Sequence, residues 1–312
     1  MLVDLCIIDN RVSYPEHVER SMDDYQNLNM VTSLFYKIIG LLKDSAFSIG
    51  TLFSRSSHKD NYAGTIVAND ETGALIVLIH GLNGHPSILD GHYDFFQNRS
   101  VTIYQPYVWK KGYCPLEEAA ASIYENVLAW AKQYPQKPLV FVGVSNGARL
   151  SGYISAKLVK SGNITNPIKV SSIAGPFRGT RMLGISEREE VKGGRISKTV
   201  DIIKSVFGVL YMGRELAEEL RYKSGRAKRL MENMRDAAAT HPVSYDFYAT
   251  KADSRVTCLD AALPERVEGA YYEIMEMEGH SSIVRAIKER QGERCMEFVR
   301  VQEMKQNCLI GR

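Results

Sequence analysis

Residues 139–150 read LVFVGVSNGARL. A short, wholly apolar, β-branched run stops at Ser145, and small residues at helical spacing begin at once. A run of that kind and length describes a strand buried on both faces, which is the habit of parallel sheets. The turn joining it to the helix must be tight. A side chain projected from such a turn crowds the positions two before and two after it, and both of these are glycine, Gly143 and Gly147. The helix that follows carries Ala148, Ser151, Gly152 and Ser155 on one face, which lets it approach the sheet closely. This stretch therefore requires a parallel sheet with a helix pressed against it. It also places a hydroxyl at the sheet edge and at the positive end of a helix.

The rest of the chain supplies such a sheet. Strand patterns recur at 74–79 (ALIVLI), 100–107 (SVTIYQPY), 138–144, 168–175 (IKVSSIAG), 244–250 (SYDFYAT) and 270–278 (AYYEIMEME). Helical periodicity separates them at 116–134 and 147–162, and a closing helix runs from about 282 towards 304. The expected fold class is α/β: a mostly parallel, doubly wound sheet with helices on both faces. Residues 176–241 contain no strand pattern and read as a helical lid or cap insertion within a domain spanning 61–312. The apolar residues Val206, Phe207, Val209, Leu210 and Tyr211 fall in it.

Residues 1–60 form a distinct N-terminal segment. Val31, Leu34, Phe35, Ile38, Ile39 and Leu42 follow helical spacing, and this stripe is expected to pack on the main domain. The sharper alternative is a helix that docks on a membrane surface or a partner, for which Lys37 and Lys43 are a thin basic complement.

Composition narrows the function classes. A formal charge of +3 over 312 residues gives no electrostatic reason to expect a nucleic-acid partner. Five scattered cysteines, with no CxxC or Cys/His spacing, suggest neither a disulfide framework nor a zinc site, and point to a reducing compartment. The first residues, MLVDLCIIDNR, lack the basic and unbroken apolar regions of an export signal, and no run reaches the roughly 18 apolar residues needed to span a bilayer. The expected location is cytoplasmic, with peripheral membrane contact possible; oligomeric state is left open.

A serine hydroxyl needs a base to take its proton and an acid to orient that base. His280, in a Gly-His-Ser loop after the last strand pattern, falls at the same sheet edge as Ser145 and is the candidate base. Asp253, just past the 244–250 strand, is the favoured acid, with Asp260 and Glu265 as fallbacks; Asp246, inside the strand, reads as a surface charge. His17, His58 and His241 read as exposed. The glycine-rich turn His80-Gly81-Leu82-Asn83-Gly84 can aim the N–H of Leu82 at the same point as that of Asn146, giving two oxyanion donors. His80, His85 and His92 have the spacing of no metal motif. Arg221, Lys223, Arg226, Lys228 and Arg229 read as a solvated helix face, with contact to an anionic head group as the alternative.

In this order, LIHGLNGH, GVSNGA, AGPFRGT, ATKADSRV and EGH resemble α/β-hydrolases of the lipase/esterase type, nearest to bacterial triacylglycerol lipases and GPI inositol-deacylase-like lipases. The resemblance covers roughly residues 72–305. It implies a cofactor-free serine hydrolase with Ser145, Asp253 and His280 as nucleophile, acid and base, acting on a small-molecule or lipid ester. Amide and thioester hydrolysis by the same residues, and a non-catalytic scaffold serving as a binding module, are the alternatives. The sequence departs from the family at Phe177, where a histidine is usual, and after Asp253, where Ser-Arg-Val replaces a Val-Val-Pro-like stretch.

Overall fold

The computed structural model describes residues 14–54, 62, 64–66, 73–180, 214–265 and 267–310. Two helices open the described chain, α1 (Glu16–Gln26) and α2 (Met30–Ser54). Strand β1 (Leu75–Ile79), helix α3 (Asp90–Phe96) and strand β2 (Thr102–Tyr104) follow, then α4 (Leu116–Gln133), β3 (Leu139–Val144), α5 (Asn146–Ser161) and β4 (Ile168–Ile173). After α6 (Arg214–Leu220) and α7 (Gly225–Thr240) come β5 (Val243–Thr250), β6 (Tyr271–Met275) and α8 (Ile283–Ile310). The expected insertion is seen as α6 and α7; the apolar stretch 206–211 lies outside the described residues.

The six strands form one sheet in the order β2-β1-β3-β4-β5-β6, and every neighbouring pair is parallel. Alternate residues of β1 serve different cores. Leu75, Val77 and Ile79 join a cluster with α4, α5 and α7, whereas Ile76 and Leu78 join one with α3 and α8. Both faces are thus covered, which is why these strands read as unbroken apolar runs. All parallel strands end at one edge, so the loops after β1, β3, β5 and β6 gather there.

Three local expectations change. The strand foreseen at 100–107 contracts to Thr102–Tyr104. Pro106 has no N–H for a ladder, and the Gln105 amide is buried in bonds to the Pro86 carbonyl (2.8 Å) and Asp90 (3.2 Å). Asp246 is a core charge: it is 2% exposed, with Lys169 Nζ at 2.8 Å and Arg294 Nε at 3.1 Å.

The stripe on α2 is turned the other way round. Val31, Leu34, Phe35, Ile38 and Leu42 are exposed, from 73% at Val31 to 48% at Ile38, and on the opposite face Gly40, Asp44 and Phe47 are buried. Among the described residues no helix is long and apolar enough to cross a membrane.

The Asp246 cluster yields a stability prediction. Asp246→Ala leaves the 4%-exposed Lys169 buried without its counter-ion and is expected to cost about 3–5 kcal/mol. Adding Lys169→Met restores most of that loss, as read from urea midpoints. A single variant as stable as the parent would contradict the pairing.

Candidate active site

Ser145 occupies a backbone conformation that side chains seldom adopt, φ 55° and ψ −122°, between the end of β3 and the start of α5. Its N–H donates to the Ile173 carbonyl of the neighbouring strand (2.8 Å), and its own carbonyl accepts from Ala148 N–H (3.0 Å). The flanking glycines are forced by contact. A Cβ on Gly147 would lie 2.2 Å from the Ile79 carbonyl oxygen, and one on Gly143 would lie 2.5 Å from that of Gly147. Ser145 itself stays partly exposed while Asn146 through Gly152 are buried.

The candidate acid and the candidate base meet. His280 Nδ1 lies 2.7 Å from Asp253 Oδ2, with both side chains buried. An ionised carboxylate only accepts, so Nδ1 carries the proton and the Nε2 lone pair is left available. The other Asp253 oxygen accepts from the N–H groups of Arg255 and Val256, each at 2.7 Å. Val256 stands three residues past Asp253, where the related pattern has proline, and it keeps the N–H that proline lacks. Val256 thus gives Asp253 a bond that a proline there could not make.

The fallback acids are engaged elsewhere. Asp260 pairs with Arg178 at 3.1 Å and accepts from Tyr222, and Glu265 also binds Arg178. Phe177, at the family's histidine position, is fully buried, with its ring edge-on to Phe247.

The turn after β1 is braced by His80. Its Nε2 accepts from Val108 N–H at 3.0 Å, so the proton sits on Nδ1, which donates to the Gly81 carbonyl at 2.9 Å. Gly84 N–H reaches the same carbonyl at 3.0 Å. A trans peptide holds its C=O and N–H on opposite sides, so fixing the Gly81 carbonyl fixes the opposite direction for Leu82 N–H. Gly81 abuts the elbow; a Cβ there would come 2.9 Å from that of Ser145. Asn146 is the first residue of α5, where an N–H has no intrahelical acceptor.

Lys110, Lys111 and Gly112 are consecutive left-handed residues (φ 48°, 52° and 81°), a conformation costing roughly 1–2 kcal/mol at each lysine. They press Gly112 between Leu82 and Asn146: a Cβ on Gly112 would meet Asn146 Nδ2 at 3.3 Å and Leu82 Cδ1 at 3.5 Å.

Sequence reasoning missed three contributors. The sequence reading places His80 in the glycine-rich turn and in no metal motif, and gives its ring no bracing role. Arg149 is 1% exposed and donates to Asn146 Oδ1 (3.0 Å) and the Glu219 carbonyl (3.2 Å), and burial draws its pKa down to about 10. An arginine on the small-residue face of α5 was the available signal. Asp44 of α2 binds the His280 loop through its carboxylate, and no local pattern announces a contact over that sequence distance. The other histidines have ordinary partners: His85 meets Ser87 and Tyr107, His92 meets Gln291, and His241 meets the Asn166 carbonyl. His17 is exposed, and His58 lies outside the described residues.

No family model matches the chain, and no curated protein matches it. Similar solved structures include the mature lipase BlEst2 from Bacillus licheniformis, at 14% identity and a TM-score of 0.49, covering 75% of this chain and 94% of that one. The ferulic-acid complex of Est1E from Butyrivibrio proteoclasticus has 13% identity and a TM-score of 0.47, covering 73% and 90%. A lipase-esterase related protein from Clostridium acetobutylicum has 16% identity and a TM-score of 0.45, covering 75% and 98%.

Two predictions follow from this packing. Gly147→Ala drives a methyl group into the Ile79 carbonyl and is expected to abolish any activity of the site and lower thermal stability; a variant with the parent's melting temperature would show that the contact is loose. His80 and His92 are held neutral by burial, each with its pKa lowered from 6.5 to about 4. Between those values the unfolded chain binds more protons, so stability falls as the pH drops, by up to about 1.4 kcal/mol per pH unit for each histidine. Urea midpoints measured at about pH 7.5 and about pH 5 should show this fall, and His92→Gln should make it shallower. A midpoint unchanged over that range would contradict the burial of both rings.

The strand-to-helix serine turn, the Ser…Asp…His order along the chain and the all-parallel sheet that carries all three loops at one edge give this chain the α/β-hydrolase fold.

Proposed function

We propose that the protein is a serine hydrolase that cleaves carboxylic esters through an acyl-enzyme. The observation that carries this reading is the buried 2.7 Å contact of His280 Nδ1 with Asp253 at the sheet edge where the strained Ser145 turn emerges. In this mechanism His280 Nε2 takes the Ser145 proton as Oγ bonds to the acyl carbon. The carbonyl electrons move onto oxygen, and the N–H groups of Leu82 and Asn146 hold the resulting oxyanion, worth roughly 3–4 kcal/mol each. His280 passes its proton to the departing alcohol as the C–O bond breaks. Water then attacks the acyl-enzyme with the same base, releasing the acid and restoring Ser145. No step calls for a cofactor.

The substrate class we favour is a lipid or other apolar acyl ester. Its support is the uncovered apolar face of α2, whose other face lies on the His280 loop, together with the exposed rings of Tyr107 and Trp109 beside the Gly112 turn. Large exposed apolar patches mark binding surfaces. Thioesters and amides pass through the same oxyanion and are the second reading.

Ser145→Ala is expected to lower p-nitrophenyl ester turnover by at least about 10³-fold without unfolding the protein, and Asp253→Asn by roughly 10³–10⁴-fold. A fluorophosphonate should label Ser145 in the folded parent. Undiminished turnover in Ser145→Ala sinks the assignment, and absence of labelling favours a non-catalytic scaffold. In a chain-length series with and without phosphatidylcholine vesicles, long acyl esters should gain at the lipid surface. A steady decline from short to long chains with no such gain leaves small-ester hydrolysis.

A further inference from the structure

Helix α2 reaches both loops that carry the acid–base pair. Its packed face is formed by Tyr36, Gly40, Lys43, Asp44 and Phe47, which recur at helical spacing. Gly40 lies against the acid loop so closely that a Cβ there would sit 1.9 Å from the Ala252 carbonyl oxygen. Gly279, next to the base, is pressed against the same helix. A Cβ on it would sit 2.3 Å from both Asp44 Oδ1 and the Gly40 carbonyl oxygen. Lys43 Nζ reaches Glu278 at 2.6 Å, and Glu278 in turn accepts from Ser282 Oγ at 2.9 Å.

At the centre of this seam is Asp44, 7% exposed. One of its oxygens accepts from Ser281 N–H (2.7 Å) and Ser282 N–H (3.0 Å), and the other from His280 N–H (3.0 Å). These three amides stand immediately before α8, whose positive end favours a negative charge nearby. The carboxylate that holds them comes from 236 residues away, on a helix that also touches the Asp253 loop.

We infer that Asp44 is a positioning residue for the base: by binding the backbone of His280, Ser281 and Ser282 from α2, it sets the imidazole against Asp253 and towards the Ser145 edge. The inference rests on the serine-hydrolase reading. Through it α2 becomes part of the active-site machinery, with Asp44 acting on His280 through the loop backbone.

The test compares Asp44→Asn and Asp44→Ala with the parent. Asparagine keeps an acceptor for Ser281 and Ser282 but turns an NH2 group towards the His280 N–H, whereas alanine removes all three bonds. Ester turnover is measured per active site titrated with a fluorophosphonate, well below each variant's melting temperature. The expected result is a graded loss in kcat, with asparagine milder than alanine and the latter reaching roughly 10–100-fold, while KM is nearly unchanged.

The downfield proton resonance of the His280–Asp253 hydrogen bond should shift or broaden in Asp44→Asn, with far-UV circular dichroism unaltered. Parental kcat per titrated site in both variants, with the resonance in place, overturns the inference. Where Asp44→Ala does not fold, Asp44→Asn decides. A parent that neither labels nor hydrolyses esters defeats the hydrolase reading instead, and the resonance still reads whether Asp44 sets the ring.

Discussion

The close approach of α5 to the sheet at Gly143 and Gly147 is the constraint on which the rest depends. With 2.2 Å between a notional Gly147 Cβ and the Ile79 carbonyl, no other residue fits there without moving β1 or the helix. That contact fixes where α5 begins, and with it the N–H of Asn146. It also forces Ser145 into a conformation costing of order 1–3 kcal/mol, which persists only where the surroundings over-determine it. The surroundings do so through the bond to Ile173, the buried small face of α5 and the Gly81 backbone lying against the serine. Each element at this edge is held by a neighbour that is itself strained or crowded.

The polar groups follow one pattern of support. Asp253 gives one oxygen to His280 and the other to two backbone amides; the His80 ring spans the Val108 amide and the Gly81 carbonyl; Asp44 holds three amides at once. Buried polar groups are tolerable when their bonds are made and costly otherwise. Apart from the Asp253–His280 contact, these bonds end on loop backbone, so the same bonds that offset burial also fix the loops. This explains how glycine-rich turns, weakly ordered by themselves, present N–H groups in defined directions.

The sheet was legible because burial on both faces writes itself as short apolar runs, and β1, β3, β4 and β5 fall within a residue or two of their expected bounds. The Asp253–His280 pairing was legible because strand direction and chemical necessity left few choices. Legibility failed where partners are remote and polar. Asp246 looked like a surface charge because Lys169 and Arg294, which surround it, stand on other elements. On α2 the expectation that apolar stripes face inward ran against a seam selected for hydrogen bonding and for glycine-sized clearance. Gly40, Lys43 and Asp44 carry no hydrophobic signal at all.

That inversion has a mechanical meaning. A helix held by its apolar stripe can slide or rotate among similar packings, since hydrophobic contact is non-directional. A helix held by Gly40 against the Ala252 carbonyl and by a carboxylate on three successive amides has one register. Rotating α2 by a single residue would swing Asp44 away by about 100° and bring a Cβ-bearing neighbour onto Ala252. The directional face of α2 therefore lies on the loops that carry Asp253 and His280, and its apolar face is left exposed.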